Sequence, residues 1–241
     1  EKAWNATLSP KVGLTIMEMM DGLLDGRVKG LVIMGENPMV SDPDIHHVKH
    51  ALEAAEFLTV IDIFPTPTTE LAHLVLPAAS FAEKDGTFSN SERRVQRVRK
   101  AIEPVGEARY DWQIIQDISN RLGYPMNFQS AEEIFNEVAS VTPAYAGISY
   151  PRLEGDGLAW PCPTPDHPGT PYLHKDKFSR GLGLFSAIDY RAPAEVPDDE
   201  YPFWLTTGRA YVHYHTGTMT RRSVHLEKEM PEAIVELHPD D

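Results

Sequence analysis

The stretch FLTVIDIFPTPTTELAHLVLP, residues 57–77, decides the fold class of this chain. It contains two short, mainly apolar runs, at 57–64 and 74–77, separated by a segment with prolines and threonines. Short continuous apolar runs are typical of strands in a parallel sheet, because such strands are buried on both faces. Prolines suit the first turn of a helix, so the sequence predicts a strand, a helix and a second strand here.

The same alternation extends toward the amino terminus. The run LVIMG at 31–35 predicts a buried strand that ends in the turn ENP. Apolar residues recur at helical spacing in 12–24 and in 44–56. Alternating strands and helices indicate an α/β fold, so we predict a parallel-sheet, Rossmann-like layer with flanking helices.

The pattern changes toward the carboxyl terminus. Residues 88–102 are predicted to be extended, and helices are predicted at 111–122 and 130–140, the second with a capping box formed by Ser130 and Glu133.

Three regions follow from these patterns. Residues 1–142 are predicted to form the α/β domain, and the proline- and glycine-rich residues 143–199 a connecting segment. Residues 200–241 read as the start of a second, β-rich domain, with strands at EYPFWLTTGR (200–209) and at 234–237.

Composition excludes several classes of protein. The 241 residues carry a formal net charge of −14, which argues against nucleic acid as a partner. Cys162 is the single cysteine, so the chain has no internal disulfide and cannot hold an iron–sulfur cluster by itself. No apolar run is long enough to span a bilayer and no signal peptide is visible. We therefore expect a cytoplasmic protein without direct membrane insertion.

The two ends of the sequence are unusual for a mature domain. The chain begins without Met and closes just after the strand predicted at 234–237. We therefore expect it to be a piece of a longer protein.

Two polar side chains follow predicted strands at the edge where parallel sheets bind ligands. Asn37 lies in the turn after the strand at 31–35, and Asp62 lies near the end of the strand at 57–64. Ligands of open parallel sheets lie beyond the carboxyl ends of the strands, and an acid there commonly accepts from a ribose hydroxyl or a guanine N–H. The alternatives are a turn without a ligand for Asn37 and a helix cap for Asp62.

A basic run follows the third predicted strand. Residues 84–100 hold two lysines and four arginines in an otherwise acidic chain. Such a run is usually a solvated face, yet Lys84 lies on the ligand side of the sheet, and the arginines can clamp phosphates bidentately. His46 and His50 have the spacing of a metal site without an apparent third ligand, so we interpret them as an exposed helix face.

The stretch LTTGRAYVHYHTGTMTRRS, at 205–223, combines small polar residues with positive charge. Gly208 lets a backbone approach a phosphate, and Arg209 supplies a planar positive fork. The hydroxyls and N–H groups that follow resemble a nest for an anion. His213 and His215 are placed on opposite faces of a strand, as donors to oxygens or ring nitrogens. The stretch predicts a pyrophosphate or pterin site, although neither GxxxxGK[ST] nor GxGxxG occurs.

Three motifs, in this order, resemble the molybdopterin oxidoreductases of the dimethyl-sulfoxide-reductase type. They are MGENP, DIFPTPTTELAHLVLPAASFAEKDGTFSNSERRVQ and LTTGRAYVHYHTGTMTRRS. The resemblance covers nearly the whole chain and is strongest to the catalytic (alpha) subunits of formate dehydrogenases, with nitrate reductases next. It implies a bis(molybdopterin guanine dinucleotide) cofactor that carries molybdenum or tungsten.

The resemblance also implies which residues contact this cofactor. Asp62 fits the guanosine end, and the run from Thr207 to Thr216 matches a loop that wraps a pterin and its pyrophosphate, with Arg221 and Arg222 adding positive charge. The positions that match cofactor contacts are Asn37, Asp62, Lys84, Asp111, Thr207, Gly208, Arg209, His213, His215 and Thr216.

The departures from the family pattern limit what this sequence holds. The clustered cysteines for an iron–sulfur cluster are not found, nor is the cysteine or selenocysteine that ligates the metal, and Cys162 does not match that motif. The resemblance therefore implies part of the cofactor cradle and, at 200–241, the start of a β-barrel domain. The cluster is expected in a missing N-terminal part.

In the whole enzyme, the resemblance implies oxidation of formate to carbon dioxide. Electrons pass through iron–sulfur clusters to an iron–sulfur or flavin subunit. The alternatives are a nitrate reductase of the same family, a cofactor-free iron–sulfur scaffold like that of respiratory NADH dehydrogenase, and a plain nucleotide-binding module. The scaffold predicts loss of the polar loop at 207–216, which this chain keeps.

Overall fold

The computed structural model describes residues 1–240, which fall into two compact units. The first unit is Glu1–Leu173, and the second begins at His174. Within residues 1–240, no helix combines the length and the apolar character that crossing a membrane requires.

The first unit, residues 1–173, contains five α-helices and six strands. The helices are α1 (Ile16–Leu24), α2 (Pro38–Ser41), α3 (Ile45–Glu53), α4 (Asp111–Arg121) and α5 (Ala131–Val141). The strands are β1 (Gly30–Met34), β2 (Phe57–Asp62), β3 (Leu74–Pro77), β4 (Gly86–Ser89), β5 (Arg94–Val98) and β6 (Leu158–Ala159). The predictions of β1, β2, β3 and the four long helices are confirmed.

Strands β1, β2 and β3 form a parallel sheet in that order, which confirms the α/β class. Successive side chains of a strand point to opposite faces, so neighbouring β2 residues meet different helices. Val60 packs in one core cluster with Met20 of α1 and Leu52 of α3, whereas Ile61 packs with Ile114 of α4. Each buried side chain of this size stabilises the fold by roughly 1.5–3 kcal/mol.

Helix α1 begins later than its apolar pattern predicts. Thr15 caps it: the Glu18 N–H donates to the Thr15 hydroxyl, and the Thr15 N–H donates to the Glu18 carboxylate at 2.7 Å. This capping box satisfies helix-end N–H groups, so Val12 stays outside the helix. The cap explains a difference of several residues from the predicted start.

The helix predicted after Pro65 is wrong: the structure has only a 3-10 turn at Thr69–Leu71. The Thr66 N–H donates to the Thr69 hydroxyl at 2.8 Å, and the Thr69 N–H donates to the Thr66 hydroxyl at 3.2 Å. Threonine side chains that bond to nearby backbone groups compete with helix formation, which accounts for the short turn.

A second sheet is antiparallel, with the order β4, β5, β6. Val95 of this sheet packs in one core cluster with Phe135, Ile148, Tyr150, Leu153 and Cys162. Residues 143–173 therefore contribute buried side chains to the first unit. The region predicted as a connecting segment, 143–199, is divided between the two units.

The second unit is poor in regular structure. Among residues 174–240, the structure has helix α6 (Val224–Glu229), a 3-10 turn at Thr220–Arg222 and an isolated bridge between Phe178 and Gly181. The strands predicted at 200–209 and 234–237 are wrong for these residues. A strand needs a hydrogen-bonded neighbour, and none is supplied by the described residues of this unit. The β-barrel domain stays a prediction.

Candidate functional site

The carboxyl ends of β1, β2 and β3 form one edge of the parallel sheet. The Gly35 N–H donates to the Ile61 carbonyl at 2.9 Å, and the Ala78 N–H donates to the Asp62 carbonyl at 3.0 Å. These bonds continue the strand pairing to the tips, so the loops that leave the strands start side by side. Asn37, in the loop after β1, and Asp62, the last residue of β2, therefore lie at the edge where α/β proteins bind ligands.

Asn37 is almost fully buried, with 6% of its surface exposed. The Thr68 hydroxyl donates to Asn37 Oδ1 at 2.7 Å, and the Met39 N–H donates to the Thr68 hydroxyl at 3.2 Å. Sequence reasoning missed Thr68, because the residues around it were assigned to a helix. The signal that could have found it is the threonine-rich PTPTTE directly after a strand.

Asp62 shapes its own loop. Its Oδ1 accepts from the Phe64 N–H at 2.9 Å, an Asx-type turn, and its side chain stays partly exposed. The predicted alternative, a cap for a helix after Pro65, is not what this side chain does. The bond leaves Oδ2 of the carboxylate at the sheet edge as a further acceptor.

Lys84 and Asp111 contact each other. The Arg109 N–H donates to the Pro77 carbonyl at 3.0 Å, which holds the start of α4 beside the end of β3. Lys84 Nζ forms an ion pair with Asp111 Oδ2, and each side chain is about a quarter exposed. Sequence reasoning selected both residues but not their pairing, because 27 positions separate them.

Glu83 fixes the backbone that carries Lys84. Glu83 is 5% exposed, and its carboxylate accepts from the Ser80 N–H at 2.7 Å and from the Val105 N–H at 2.9 Å. The bond from the Ser80 N–H is the main reason that the pKa of Glu83 lies below its ordinary value of 4.5. The charged Glu83 therefore ties the loop after β3 to the segment that leads to α4.

The arginines of the basic run bind the protein itself. Arg93 donates to the carbonyl of Thr170 at 3.0 Å, and the guanidinium of Arg97 lies 3.8 Å from the centre of the Tyr150 ring. Arg99 forms an ion pair with Glu154. These contacts hold residues 150–171 against β5, so a phosphate clamp is not the role that the structure gives these side chains.

The second unit contains a cleft of about 370 Å³, lined mainly by predicted site residues. They are Thr207, Gly208, Arg209, Ala210, His213 and His215. Arg209 is exposed and makes no hydrogen bond or ion pair with any residue in 1–240. A Cβ on Gly208 would meet no atom within 4 Å, so the space beside this backbone is open. Thr216 is exposed and does not line the cleft.

His213 is held by the protein on both ring nitrogens. Nδ1 lies 3.1 Å from the Thr220 hydroxyl, and Nε2 lies 2.9 Å from the Met230 carbonyl, to which it donates. The predicted strand around it is absent: His215 has a φ of 49°, a turn conformation, and its side chain is exposed. Both histidines line the cleft, and His215 is the exposed one of the two.

The two arginines at the end of the loop are also engaged. Arg221 donates to both carboxylate oxygens of Glu227, at 3.0 and 3.1 Å, and to the Pro231 carbonyl at 3.2 Å. Arg222 donates to the Thr218 carbonyl at 3.2 Å. Among the residues described, Arg209 is therefore the arginine of this loop that has no hydrogen-bond or ion-pair partner within the protein.

The histidines of α3 show no metal-binding arrangement. His47 Nε2 lies 3.1 Å from Asp21 Oδ1, whereas His46 and His50 are exposed. Across residues 1–240, no group of three or more potential metal ligands is found.

Comparison with known proteins identifies a family match. Residues 4–121 match the family described as Molybdopterin oxidoreductase. The whole chain is 54% identical to the F420-dependent formate dehydrogenase 1 subunit alpha of Methanococcus maripaludis, and 54% identical to the F420-dependent formate dehydrogenase subunit alpha of Methanocaldococcus jannaschii. It covers 36% of the length of each of these relatives.

Among solved structures, the acetylene hydratase from Pelobacter acetylenicus matches 56% of this chain and 19% of its own, with a TM-score of 0.48 and 19% identity. The family match shows a molybdopterin oxidoreductase domain at residues 4–121, and the chain as a whole is similar to the two formate dehydrogenase alpha subunits. The family predicted from the three motifs is confirmed.

Proposed function

We propose that this chain is part of a formate dehydrogenase and supplies a portion of its cofactor site. The observation that carries the proposal is 54% identity, over the entire chain, to two alpha subunits of F420-dependent formate dehydrogenases. The reaction is the oxidation of formate to carbon dioxide, and the electrons leave to an iron–sulfur or flavin subunit. We further propose a cytoplasmic location.

The cofactor is proposed to be bis(molybdopterin guanine dinucleotide) with molybdenum or tungsten. The donor set at the sheet edge fits such a group. The carboxylate of Asp62 is proposed to accept from guanine or ribose, and the ion pair of Lys84 and Asp111, between the loop after β3 and the start of α4, to add a cation and an acceptor. Asn37 is held at the tip of the neighbouring strand. This edge is the proposed contact for the nucleotide end of the cofactor.

The cleft in the second unit fits an anion. Arg209 has no partner among residues 1–240, and the open space beside Gly208 allows a phosphate to approach the backbone. The hydroxyl of Thr207 and the exposed ring of His215 add donors. We propose that these residues bind a pyrophosphate and the adjoining pterin, whereas His213 supports the loop from inside the protein.

When bound, the cofactor supplies the two-electron redox chemistry of the reaction. The residues of this chain bind and orient it. Arg209 offsets pyrophosphate charge, and the sheet-edge residues fix the nucleotide, so that the cofactor keeps one position relative to the substrate.

The proposed function is tested on the protein purified from its native host. We expect about one molybdenum or tungsten atom per chain, release of a guanine nucleotide on acid treatment, and formate-dependent reduction of a viologen dye or of F420. Nitrate reduction without formate oxidation would favour the nitrate reductase instead. A preparation with iron but without either metal or a guanine nucleotide would favour the cofactor-free scaffold.

Arg209→Ala tests the anion site. A charge-assisted hydrogen bond contributes about 1.5–3 kcal/mol, so cofactor affinity is expected to fall roughly tenfold or more while the fold remains intact. The measurements are metal and nucleotide content and the circular dichroism spectrum. Arg191→Ala is the matched control, since Arg191 is exposed in the same unit but does not line the cleft. Normal loading of the Arg209 variant contradicts the assigned role.

A further inference from the structure

We propose that Thr68 is a positioning residue, which sets the side-chain amide of Asn37 for the cofactor. The inference rests on the proposed function, because it gives a role to a residue that supports the same site. Thr68 is fully buried and lies on the connection between β2 and β3. Asn37 lies in the turn between β1 and α2. The two side chains meet although 31 positions separate them.

The Thr68 hydroxyl both donates and accepts a hydrogen bond. It donates its proton to Asn37 Oδ1 at 2.7 Å and accepts from the Met39 N–H at 3.2 Å. A hydroxyl carries one proton, so donation to Asn37 assigns the amide oxygen to the side that faces Thr68. This contact therefore fixes the side of the Asn37 amide that carries the oxygen.

Asn37 does not do what an asparagine at its position normally does. It is the N-cap residue of α2, where asparagine side chains commonly accept from N–H groups of the first turn. Here the side chain makes no capping bond. The first turn of α2 is closed by the Val40 and Ser41 N–H groups, which donate to the Asn37 backbone carbonyl. The side chain is diverted to Thr68 instead. Asn37 lies at the edge of the parallel sheet where ligands bind. We therefore infer that the contact with Thr68 positions its side chain for a ligand.

The backbone that carries Thr68 is itself fixed. Thr66 and Thr69 exchange hydrogen bonds between hydroxyl and backbone N–H, and both are buried. The Thr69 hydroxyl also donates to the Thr66 carbonyl at 2.8 Å. The hydroxyl of Thr68 is thus presented to Asn37 from a closed turn and not from a mobile side chain.

The test uses Thr68→Val and Thr68→Ser in the native protein. Valine keeps the shape and removes the hydroxyl, whereas serine keeps the hydroxyl. We expect Thr68→Val to lower hydrogen-exchange protection of the Met39 N–H about tenfold or more, and to lower cofactor content at least about fivefold. Thr68→Ser is expected to retain most of the Met39 N–H protection and most of the cofactor content of the wild type.

Val48→Ala serves as the stability control. Val48 is fully buried in α3, and its truncation weakens the fold without removing a polar contact at the sheet edge. If Val48→Ala and Thr68→Val lose cofactor equally at equal loss of stability, Thr68 only supports the fold and the proposal is overturned. Unchanged Met39 exchange in Thr68→Val overturns it as well, and this readout needs no cofactor. Absence of cofactor from the wild-type protein would instead count against the proposed function.

Discussion

At the residue scale, residues of the same type differ in whether their buried polar groups have hydrogen-bond partners, a difference that the sequence does not reveal. Glu83 is one acid among many in an acidic chain, yet its carboxylate joins two backbone segments beside Lys84. Tyr150 is one of nine tyrosines, yet its hydroxyl is buried without a hydrogen-bond partner among residues 1–240. Removal of the polar group is therefore expected to lower the stability of the fold at Glu83 and to keep or raise it at Tyr150.

Glu83→Gln is expected to lower the free energy of unfolding by about 1–3 kcal/mol at pH 7, because an amide cannot replace both acceptor oxygens. The pKa of Glu83 is lowered in the folded chain from its ordinary value of 4.5. Its charge therefore stabilises the fold above pH 4.5, and this contribution is lost as the pH falls through the lowered pKa. Denaturant unfolding between pH 3 and pH 7 measures the effect.

The difference between wild type and Glu83→Gln should shrink in acid. Glu107→Gln, an exposed glutamate in the following loop, is the control and should change little at any pH. A Glu83 variant with a pH profile parallel to the wild type would show that its charge does not stabilise the fold.

Tyr150→Phe is expected to keep or raise stability, by up to about 1 kcal/mol, because it removes a buried hydroxyl without a partner. The ring packs 5.7 Å from the Phe135 ring, and phenylalanine preserves this packing. The control is Tyr145→Phe, whose hydroxyl lies 3.3 Å from the Ser89 hydroxyl, and which should lose about 0.5–1 kcal/mol. Thermal unfolding measures both, and a clear loss for Tyr150→Phe would reveal a partner of its hydroxyl.

At the element scale, short strands depend on close backbone contacts. Strand β6 has only two residues, and it pairs with β5 directly after Gly157. Gly157 has a φ of 76°, and a Cβ there would lie 2.2 Å from the Val95 carbonyl oxygen. The backbone of this glycine therefore lets β6 reach the sheet.

Gly157→Ala is expected to destabilise the first unit by more than Gly155→Ala. Both glycines have positive φ, which costs an alanine about 1–2 kcal/mol, but a Cβ on Gly155 meets no atom within 4 Å. Only Gly157→Ala adds a clash with backbone. Chemical denaturation of the two variants compares the costs, and equal values would show that β6 adapts without strain.

At the scale of the whole molecule, the two units differ in burial. All the buried apolar side chains among residues 1–240 lie between Met20 and Cys162. In the second unit, large apolar side chains such as Leu182, Phe185 and Ile188 are exposed. Few buried contacts and few backbone hydrogen bonds mean a low free energy of local opening.

Limited trypsin digestion of the 241-residue chain is therefore expected to cut first after Lys175, Lys177 or Arg180. These residues are exposed at the start of the second unit. Arg94 and Arg97, which lie in β5, should resist cleavage because Arg94 pairs with Ala159 of β6 and Arg97 pairs with Thr87 of β4. Mass spectrometry of the early fragments identifies the cuts. First cuts inside β5 would contradict this order of stability.

The sequence by itself determined the parallel sheet, its helices and the family. Apolar runs and helical spacing are local signals, and β1, β2, β3, α3 and α4 follow them closely. The strand-tip positions of Asn37 and Asp62 could be predicted for the same reason, since the ends of parallel strands share an edge. The Thr15 capping box was equally local but was not recognised.

Only the tertiary structure decided the contacts between distant residues. The pairing of Lys84 with Asp111, the bond from Thr68 to Asn37 and the packing of residues 143–173 all join positions far apart in the chain. Two strands predicted from apolar runs did not form in the second unit, because a strand is completed only by a neighbour. The local sequence pattern limits the secondary structure that a segment can form. The segments that pack against it in the folded chain decide which of its polar groups form hydrogen bonds.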